Sequence, residues 1–253
     1  MIFKKDKLTV KLFPTRCEMG KAAAIDAATV IKKLLTEKEE INIIFAAAPS
    51  QDDFLTALSE HDIEWGRINA FHMDEYIGLD ADAPQGFGNY LKRTFFEKVP
   101  LKQVFYIGKG PDSDSREKEI TRYTDLLKRY PTDIVCLGIG ENGHIAFNDP
   151  HVADFADPDM VKIVDLDLAC RQQQVNDGCF VSLLQVPTHA YTLTIPALTI
   201  AEYMFCVVPT ARKAQAVYNT LNGTINESCP ASILRAKENA IIYLDADSAG
   251  ELF

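Results

Sequence analysis

Two short stretches of this sequence bring together side chains able to move protons. In Asp133-Ile-Val-Cys-Leu-Gly-Ile-Gly-Glu-Asn-Gly-His-Ile-Ala-Phe-Asn-Asp-Pro150, an apolar run breaks into a glycine-rich turn that carries His144 and Asp149. An imidazole can exchange a proton near neutral pH, which makes His144 a candidate acid and base. In Phe71-His-Met-Asp-Glu-Tyr76, an apolar approach ends in two adjacent carboxylates. Asp74 and Glu75 cannot face the same way on an extended chain. One of them can therefore point into a cleft, where burial raises its pKa toward that of a working base, while the other makes structural hydrogen bonds. The simpler alternative is that both cap the following turn.

Each stretch needs an element to position it. Ile134 to Leu137 shows no apolar/polar alternation, as expected of a strand covered on both faces. Gly138, Gly140 and Gly143 then permit backbone geometry that residues with a Cβ avoid. In open α/β sheets, ligands sit at the carboxyl ends of such strands. Around this element, helix-like and strand-like segments alternate. Ala22, Ile25, Ala28, Ile31 and Leu35 recur at helical spacing, Ile41 to Ala47 reads as a strand, and Phe54, Leu55 and Leu58 suggest a second helix. Ile68 to Met73 reads as a strand, Tyr90 to Phe96 as a helix, Val104 to Ile107 as a strand and Ile120 to Leu127 as a helix. Later, Tyr191 to Ile195, Tyr203 to Val208 and Ala240 to Leu244 read as strands, and Ala211 to Leu221 as a helix. The polar segment Gly108 to Arg116 reads as a loop, so residues 1–253 are expected to form one α/β domain.

Composition bounds the function. The chain has 253 residues, 47% of them hydrophobic, enough to bury a large core. Its formal net charge of −10 argues against a nucleic-acid or anionic-membrane surface, although local cations could still hold an anionic metabolite. No apolar run approaches the ~20 residues that span a bilayer, and Met1-Ile-Phe-Lys-Lys5 lacks the features of a signal peptide. A cytoplasmic location is expected. The six cysteines are scattered without CxxC pairing, and Cys136 and Cys206 lie in apolar runs where a thiol packs as a small hydrophobe.

The pairing of Met73-Asp-Glu-Tyr-Ile-Gly-Leu79 with Leu137-Gly-Ile-Gly-Glu-Asn-Gly-His-Ile-Ala-Phe-Asn-Asp-Pro150 resembles the glucosamine-6-phosphate deaminase (isomerase) family. The resemblance extends over nearly the whole chain. Gly86 to Val99 looks like the helix that follows the first motif, Val186 to Ile195 like a later strand, and Ala211-Arg-Lys-Ala214 like a phosphate-contacting segment. It implies a modified Rossmann-like α/β sandwich with a mainly parallel sheet flanked by helices. It also implies conversion of glucosamine 6-phosphate to fructose 6-phosphate and ammonia through an enediol-type intermediate, with no metal and no organic cofactor. In that scheme His144 opens the sugar ring and Asp74 moves a proton between C2 and C1. Asp149, one methylene shorter than the glutamate usual in the family, would orient His144. Asn142 stands where some members have aspartate, so His144 is expected to have one carboxylate partner. Ser50, Glu75, Gly140, Gly143, Arg171 and Lys213 are the expected substrate contacts.

The first phosphate loop departs from the family. A glycine-rich turn is replaced by Ala46-Ala-Ala-Pro-Ser-Gln-Asp-Asp53, in which Asp52 and Asp53 suit the first turn of a helix and Ser50 is a hydroxyl donor or N-cap. Arg171 lies about three residues before the family's phosphate arginine, whereas Lys213 matches its lysine. Two other function classes stay open: a 6-phosphogluconolactonase-like hydrolase, and a non-catalytic sugar-phosphate sensor. Ile145-Ala-Phe-Asn148 and Asp74-Glu-Tyr76 look like deaminase rather than lactonase forms. A metal held by His144, Asp149 and Asp74 is a lesser alternative. His72 and His151 are expected to be packing or surface residues. Some family members are hexamers with an effector site, which leaves a homo-oligomer open. This chain ends at Phe253 without their long carboxyl-terminal tail, so regulation is expected to differ or be absent.

Overall fold

Apolar runs with no polar alternation make the centre of the molecule, where helices cover both faces of a sheet. The computed structural model describes residues 1–109 and 115–252. Strands β1 (Ile2–Lys5) and β2 (Leu8–Leu12) open the chain as an antiparallel hairpin. Then come α1 (Arg16–Glu37), β3 (Ile41–Phe45), α2 (Asp52–Ser59), β4 (Ile68–His72), β5 (Asp74–Tyr76), α3 (Phe87–Leu91) and β6 (Gln103–Phe105). After α4 (Arg116–Arg129) and β7 (Ile134–Leu137) follow β8 (Val161–Asp165), α5 (Leu168–Asn176), β9 (His189–Leu193) and α6 (Ile195–Thr199). The last elements are β10 (Tyr203–Val208), α7 (Ala214–Asn222) and β11 (Ala240–Leu244).

Eight strands form one sheet in the order β1-β2-β11-β10-β7-β3-β4-β6, parallel except for the β1–β2 pair. From β3 the chain steps outward through β4 to β6, then returns to lay β7 on the other side of β3. This reversal of direction opens a crevice beyond the carboxyl ends of β3 and β7, the place where doubly wound sheets bind ligands. The long helix α1 starts at Thr15, whose Oγ1 accepts from Glu18 N–H, and buries an apolar stripe including Ala23, Ala27, Ile31 and Leu34. A Cβ at Gly20 would lie 2.7 Å from Asp53 Cβ, so glycine is what lets α1 and α2 pack this closely.

A second, three-stranded antiparallel sheet, β5-β9-β8, stands beside the crevice and was not foreseen from the sequence. The strand expected at Tyr191 to Ile195 is β9, but it belongs to this small sheet. Two expected helices are subdivided. Tyr90 to Phe96 falls across α3 and a π-helical turn, Lys92–Phe96, and Ala211 to Leu221 begins as a 3₁₀ turn, Ala211–Lys213, before α7. The loop expected over Gly108 to Arg116 includes residues 110–114, which lie outside the described residues. No helix among the described residues is long and apolar enough to cross a membrane.

Candidate active site

Asp74 enters the crevice because the chain leaves β4 and immediately starts β5, with its neighbours tied down on both sides. The imidazole of His72, at the end of β4, is wholly buried; its Nε2 accepts from Ile107 N–H at 3.1 Å. Nδ1 must therefore carry the proton, which it donates to the carbonyl of Asp74 at 2.9 Å. Burial lowers the His72 pKa to about 4, so this ring is a neutral strut, in keeping with the packing role expected of it.

The two adjacent carboxylates part company, as an extended chain requires. Glu75 turns away from the crevice and accepts the N–H groups of Tyr76, Phe87 and Gly88, each at 2.9 Å. Burial raises its pKa and the three N–H groups oppose the shift only in part. The expectation that Glu75 contacts substrate is thereby corrected: its oxygens hold the amino end of α3. Asp74 faces a cavity shared with His144, and its carboxylate takes no hydrogen bond from any described residue. Burial, and secondarily the charge of Glu75, raise its pKa well above the usual carboxylate range.

The His144 turn is built by its glycines and by Asn142. Gly143 has φ +82°, and a Cβ at Gly140 would fall 2.2 Å from the His144 ring, so the imidazole lies directly over that backbone. Asn142 Oδ1 accepts from His144 N–H at 3.0 Å, while its Nδ2 donates to Asp149 Oδ1 at 2.9 Å. His144 Nδ1 also lies 2.9 Å from Asp149 Oδ1, an ion-pair distance at which the ring N–H is not aligned as a hydrogen bond. The shorter aspartate thus reaches the imidazole. Burial alone would raise the Asp149 pKa, but His144, with Asn142 and Cys170, outweighs it and the net direction is down. Asn148 Nδ2 bonds Leu193 O at 2.8 Å, and Phe147 N–H bonds Thr192 Oγ1 at 3.0 Å. Thr192 is also the register partner of Asp74, so β9 fixes the base and the imidazole relative to each other.

Lys213 arrives from β10 through a strained step. Thr210 has φ +80° and is held there by its N–H, which meets both carboxylate oxygens of buried Asp245 at 3.2 and 3.1 Å. The following 3₁₀ turn buries Lys213 against the cavity, where its ammonium has no hydrogen bond or ion pair among the described residues. Burial lowers its pKa, opposed by Asp177 and Glu141.

Of the expected site residues, Asp74, His144, Ser50, Gly140 and Lys213 line one cavity, and Asp149 and Asn142 stand behind His144. Gly143 does not line it; a Cβ there would meet Cys229 Sγ at 2.8 Å, so this glycine shapes the turn and its packing. Arg171 is also corrected. Its guanidinium donates through Nη2 to Leu183 O at 2.8 Å and Val186 O at 2.9 Å, which ties down the following turn, and Arg171 does not line the cavity. Among the described residues, donor atoms converge as metal ligands could in two groups that share Asp149, one with His144 and Cys170 and one with His151 and Asp167, each within 4.8 Å; Asp74 is in neither. Sequence reading missed Gln51, Gln173, Gln174 and Asp177, all on the cavity wall, and the apolar face made by Phe87 and Phe147, stacked with centroids 5.4 Å apart. The i,i+4 spacing of Gln173 and Asp177 was the available signal.

Known proteins resemble this chain in sequence and in fold. A glucosamine-6-phosphate deaminase of Listeria monocytogenes serotype 4a (strain HCC23) is 30% identical over 231 residues, 91% of this chain and 96% of that one. One of Bacillus cereus (strain G9842) is 32% identical over 219 residues, 87% and 81% of the two chains. The solved structure of a monomeric glucosamine-6-phosphate deaminase superposes with a TM-score of 0.85 at 28% identity, covering 96% of this chain and 99% of that one. The 6-phosphogluconolactonase of Thermotoga maritima shares the fold at a TM-score of 0.75 and 22% identity, covering 94% of this chain and 100% of that one. The family model described as glucosamine-6-phosphate isomerases/6-phosphogluconolactonase matches residues 14–243, and the chain belongs to that family.

Proposed function

We propose that this protein isomerises and deaminates an amino-sugar phosphate, converting glucosamine 6-phosphate and water to fructose 6-phosphate and ammonia without metal or organic cofactor. One observation carries the reading: a buried carboxylate with no hydrogen bond from any described residue, Asp74, shares a cavity with an imidazole backed by a second carboxylate, His144 and Asp149. His144 shuttles the proton of the ring oxygen, which frees the C1 aldehyde, and Asp149 with Asn142 holds the ring in place. Asp74 takes the C2 proton to give the enediol-type intermediate and returns a proton to C1. That leaves C1 as a hydroxymethyl group and C2 as an imine. Water adds to the imine carbon, and ammonia departs as the C2 ketone forms. The apolar wall of Met73, Phe87 and Phe147 keeps water from Asp74 and sustains its raised pKa.

The test is ammonia release from glucosamine 6-phosphate by the purified protein with a chelator present. Ammonia in stoichiometry with fructose 6-phosphate supports the proposal. Hydrolysis of 6-phosphogluconolactone without ammonia supports the hydrolase reading instead, and saturable binding of the sugar phosphate without turnover supports the sensor.

A further inference from the structure

Behind the His144 turn, a helix brings a thiol against the carboxylate that backs the imidazole. α5 starts at Asp167, whose Oδ1 accepts from Cys170 N–H at 2.6 Å, and one turn further on Gln173 Oε1 accepts from Glu141 N–H at 2.9 Å. Residues three apart share a helix face, so the side of α5 that meets the His144 turn carries Cys170 as well as Gln173. The result is a group of three buried donors: the ligand atoms of His144, Asp149 and Cys170 lie within 4.8 Å of one another.

Two of these side chains hold an atom with no hydrogen-bond partner among the described residues. Asp149 Oδ1 is engaged by Asn142 Nδ2 at 2.9 Å, but Asp149 Oδ2 is buried without a partner, and so is His144 Nδ1. The Asp149 side chain is 0% exposed and that of His144 9%. Polar atoms left unmet in a dry place call for a ligand or a partner. The thiol beside them is kept neutral, by burial first and by Asp149 next. A dication satisfies all three groups at once. Imidazole, carboxylate and thiolate are ligands of Zn²⁺ at about 2.0–2.3 Å, which sets the ligand atoms about 3–4 Å apart, near the spacing seen here. The second group around Asp149 suits a thiophilic ion less: His151 and Asp167 are 46% and 30% exposed and offer no sulfur.

We propose that a thiophilic divalent cation, Zn²⁺ in the first instance, binds between His144 Nδ1, Asp149 Oδ2 and Cys170 Sγ and inhibits the protein from behind its imidazole. The S–H bond of Cys170 breaks as the S–Zn bond forms, and the proton leaves to solvent. Metal on Nδ1 confines the single proton of the neutral ring to Nε2, so the ring can donate there but has no lone pair with which to accept. Ring opening stops, while Asp74, which is in neither group of donors, keeps its C2 chemistry. That selectivity rests on the proton-transfer reading of His144 and Asp74 above; the site itself does not. The ion is an inhibitor, and the reaction runs without it.

The experiment adds Co²⁺, a coloured stand-in for Zn²⁺, to the native protein and to Cys170→Ser, and follows the thiolate-to-cobalt charge-transfer band. Zn²⁺ inhibition is titrated in both, each against its own metal-free rate. Cys170→Ala serves the same purpose should the serine variant melt early. The expected result is a native band that Cys170→Ser loses, and an inhibitory Zn²⁺ concentration raised ~10-fold or more. His151→Gln should change neither. In the native protein Zn²⁺ should suppress turnover of the cyclic sugar, spare C2 exchange in an analogue locked in the open-chain form, and release its inhibition to a chelator. A band that Cys170→Ser retains in full, or a shift in the inhibitory concentration below ~10-fold, overturns the site. Inhibition lost in His151→Gln overturns it as well and places the ion on the second group. Equal suppression of cyclic and open-chain sugars, with a band that depends on Cys170, leaves the site standing and overturns the ring-opening reading of His144.

Discussion

The two halves of the cavity are built on opposite principles. Around Asp74 and His144, side chains and backbone are locked by bonds that never touch the ligand: His72 to Ile107 and Asp74, Glu75 to the amino end of α3, Asn142 to Asp149, Asn148 to β9. The Lys213 ammonium and the Gln174 amide have no partners among the described residues. A reaction that moves protons needs fixed geometry. Groups left free to turn make adaptable contacts with whatever enters. Substitutions on the locked side should damage rate, and substitutions on the open side should change binding.

The largest effect is expected at Asp74. Asp74→Asn keeps the shape and removes the basicity, so C2 exchange and turnover should fall ~10²–10⁴-fold. Stability should move the other way. Burial raises the pKa of Asp74 in the folded chain, so the fold favours its protonated form; that stabilisation is full below the unfolded pKa and is lost as pH rises through the folded one. The asparagine variant should therefore melt at a higher temperature than the native protein at neutral pH. A lower melting temperature with exchange intact would make Asp74 a structural residue.

His144→Gln should cost about 10²-fold with the cyclic sugar and less than about 10-fold with an analogue locked in the open-chain form, because glutamine can hydrogen-bond the ring oxygen but cannot carry its proton. Equal losses with both would remove ring opening from His144. A smaller effect belongs to Asn142→Ala, which frees His144 N–H and one Asp149 oxygen. It should lower kcat by about 10-fold with KM little changed, and a change confined to KM would place Asn142 on the substrate.

Arg171 should give the smallest kinetic effect. Arg171→Met removes bonds to the carbonyls of Leu183 and Val186, and the expected cost is about 1 kcal/mol of stability with kcat/KM for the phosphate ester within about 2-fold of native. A drop of 10-fold or more, in a variant with a native melt, would return Arg171 to the site.

Legibility in the sequence follows the same divide. β7, β10 and β11 were read at their observed limits, Ile134–Leu137, Tyr203–Val208 and Ala240–Leu244, because strands buried on both faces leave an uninterrupted apolar run. The hairpin of β1 and β2 interleaves lysines with apolar residues, and β5 is three residues long with two acids in it, so neither carries a periodic signal. Asp74, His144, Asn142 and Asp149, the proposed catalytic group, were legible because each sits inside a short motif whose backbone places it. Glu75 and Arg171 were read as substrate contacts for a common reason: most of their partners are backbone atoms 12 to 15 residues away, which side-chain chemistry does not announce. Gln51, Gln173, Gln174 and Asp177 were passed over because uncharged amides and an acid at the end of a helix resemble surface residues until the fold turns them inward.

The most direct measurement is the pH dependence of C2 hydrogen exchange in an open-chain amino-sugar phosphate, which needs no ring opening and so isolates the base from His144. The base works only when deprotonated, and burial has raised its pKa. With Asp74 as that base, exchange is lost as pH falls through a value clearly above the ~4 of an ordinary carboxylate, and Asp74→Asn abolishes the dependence along with the exchange. Exchange that persists undiminished down to pH ~4 would contradict a buried Asp74 as the base.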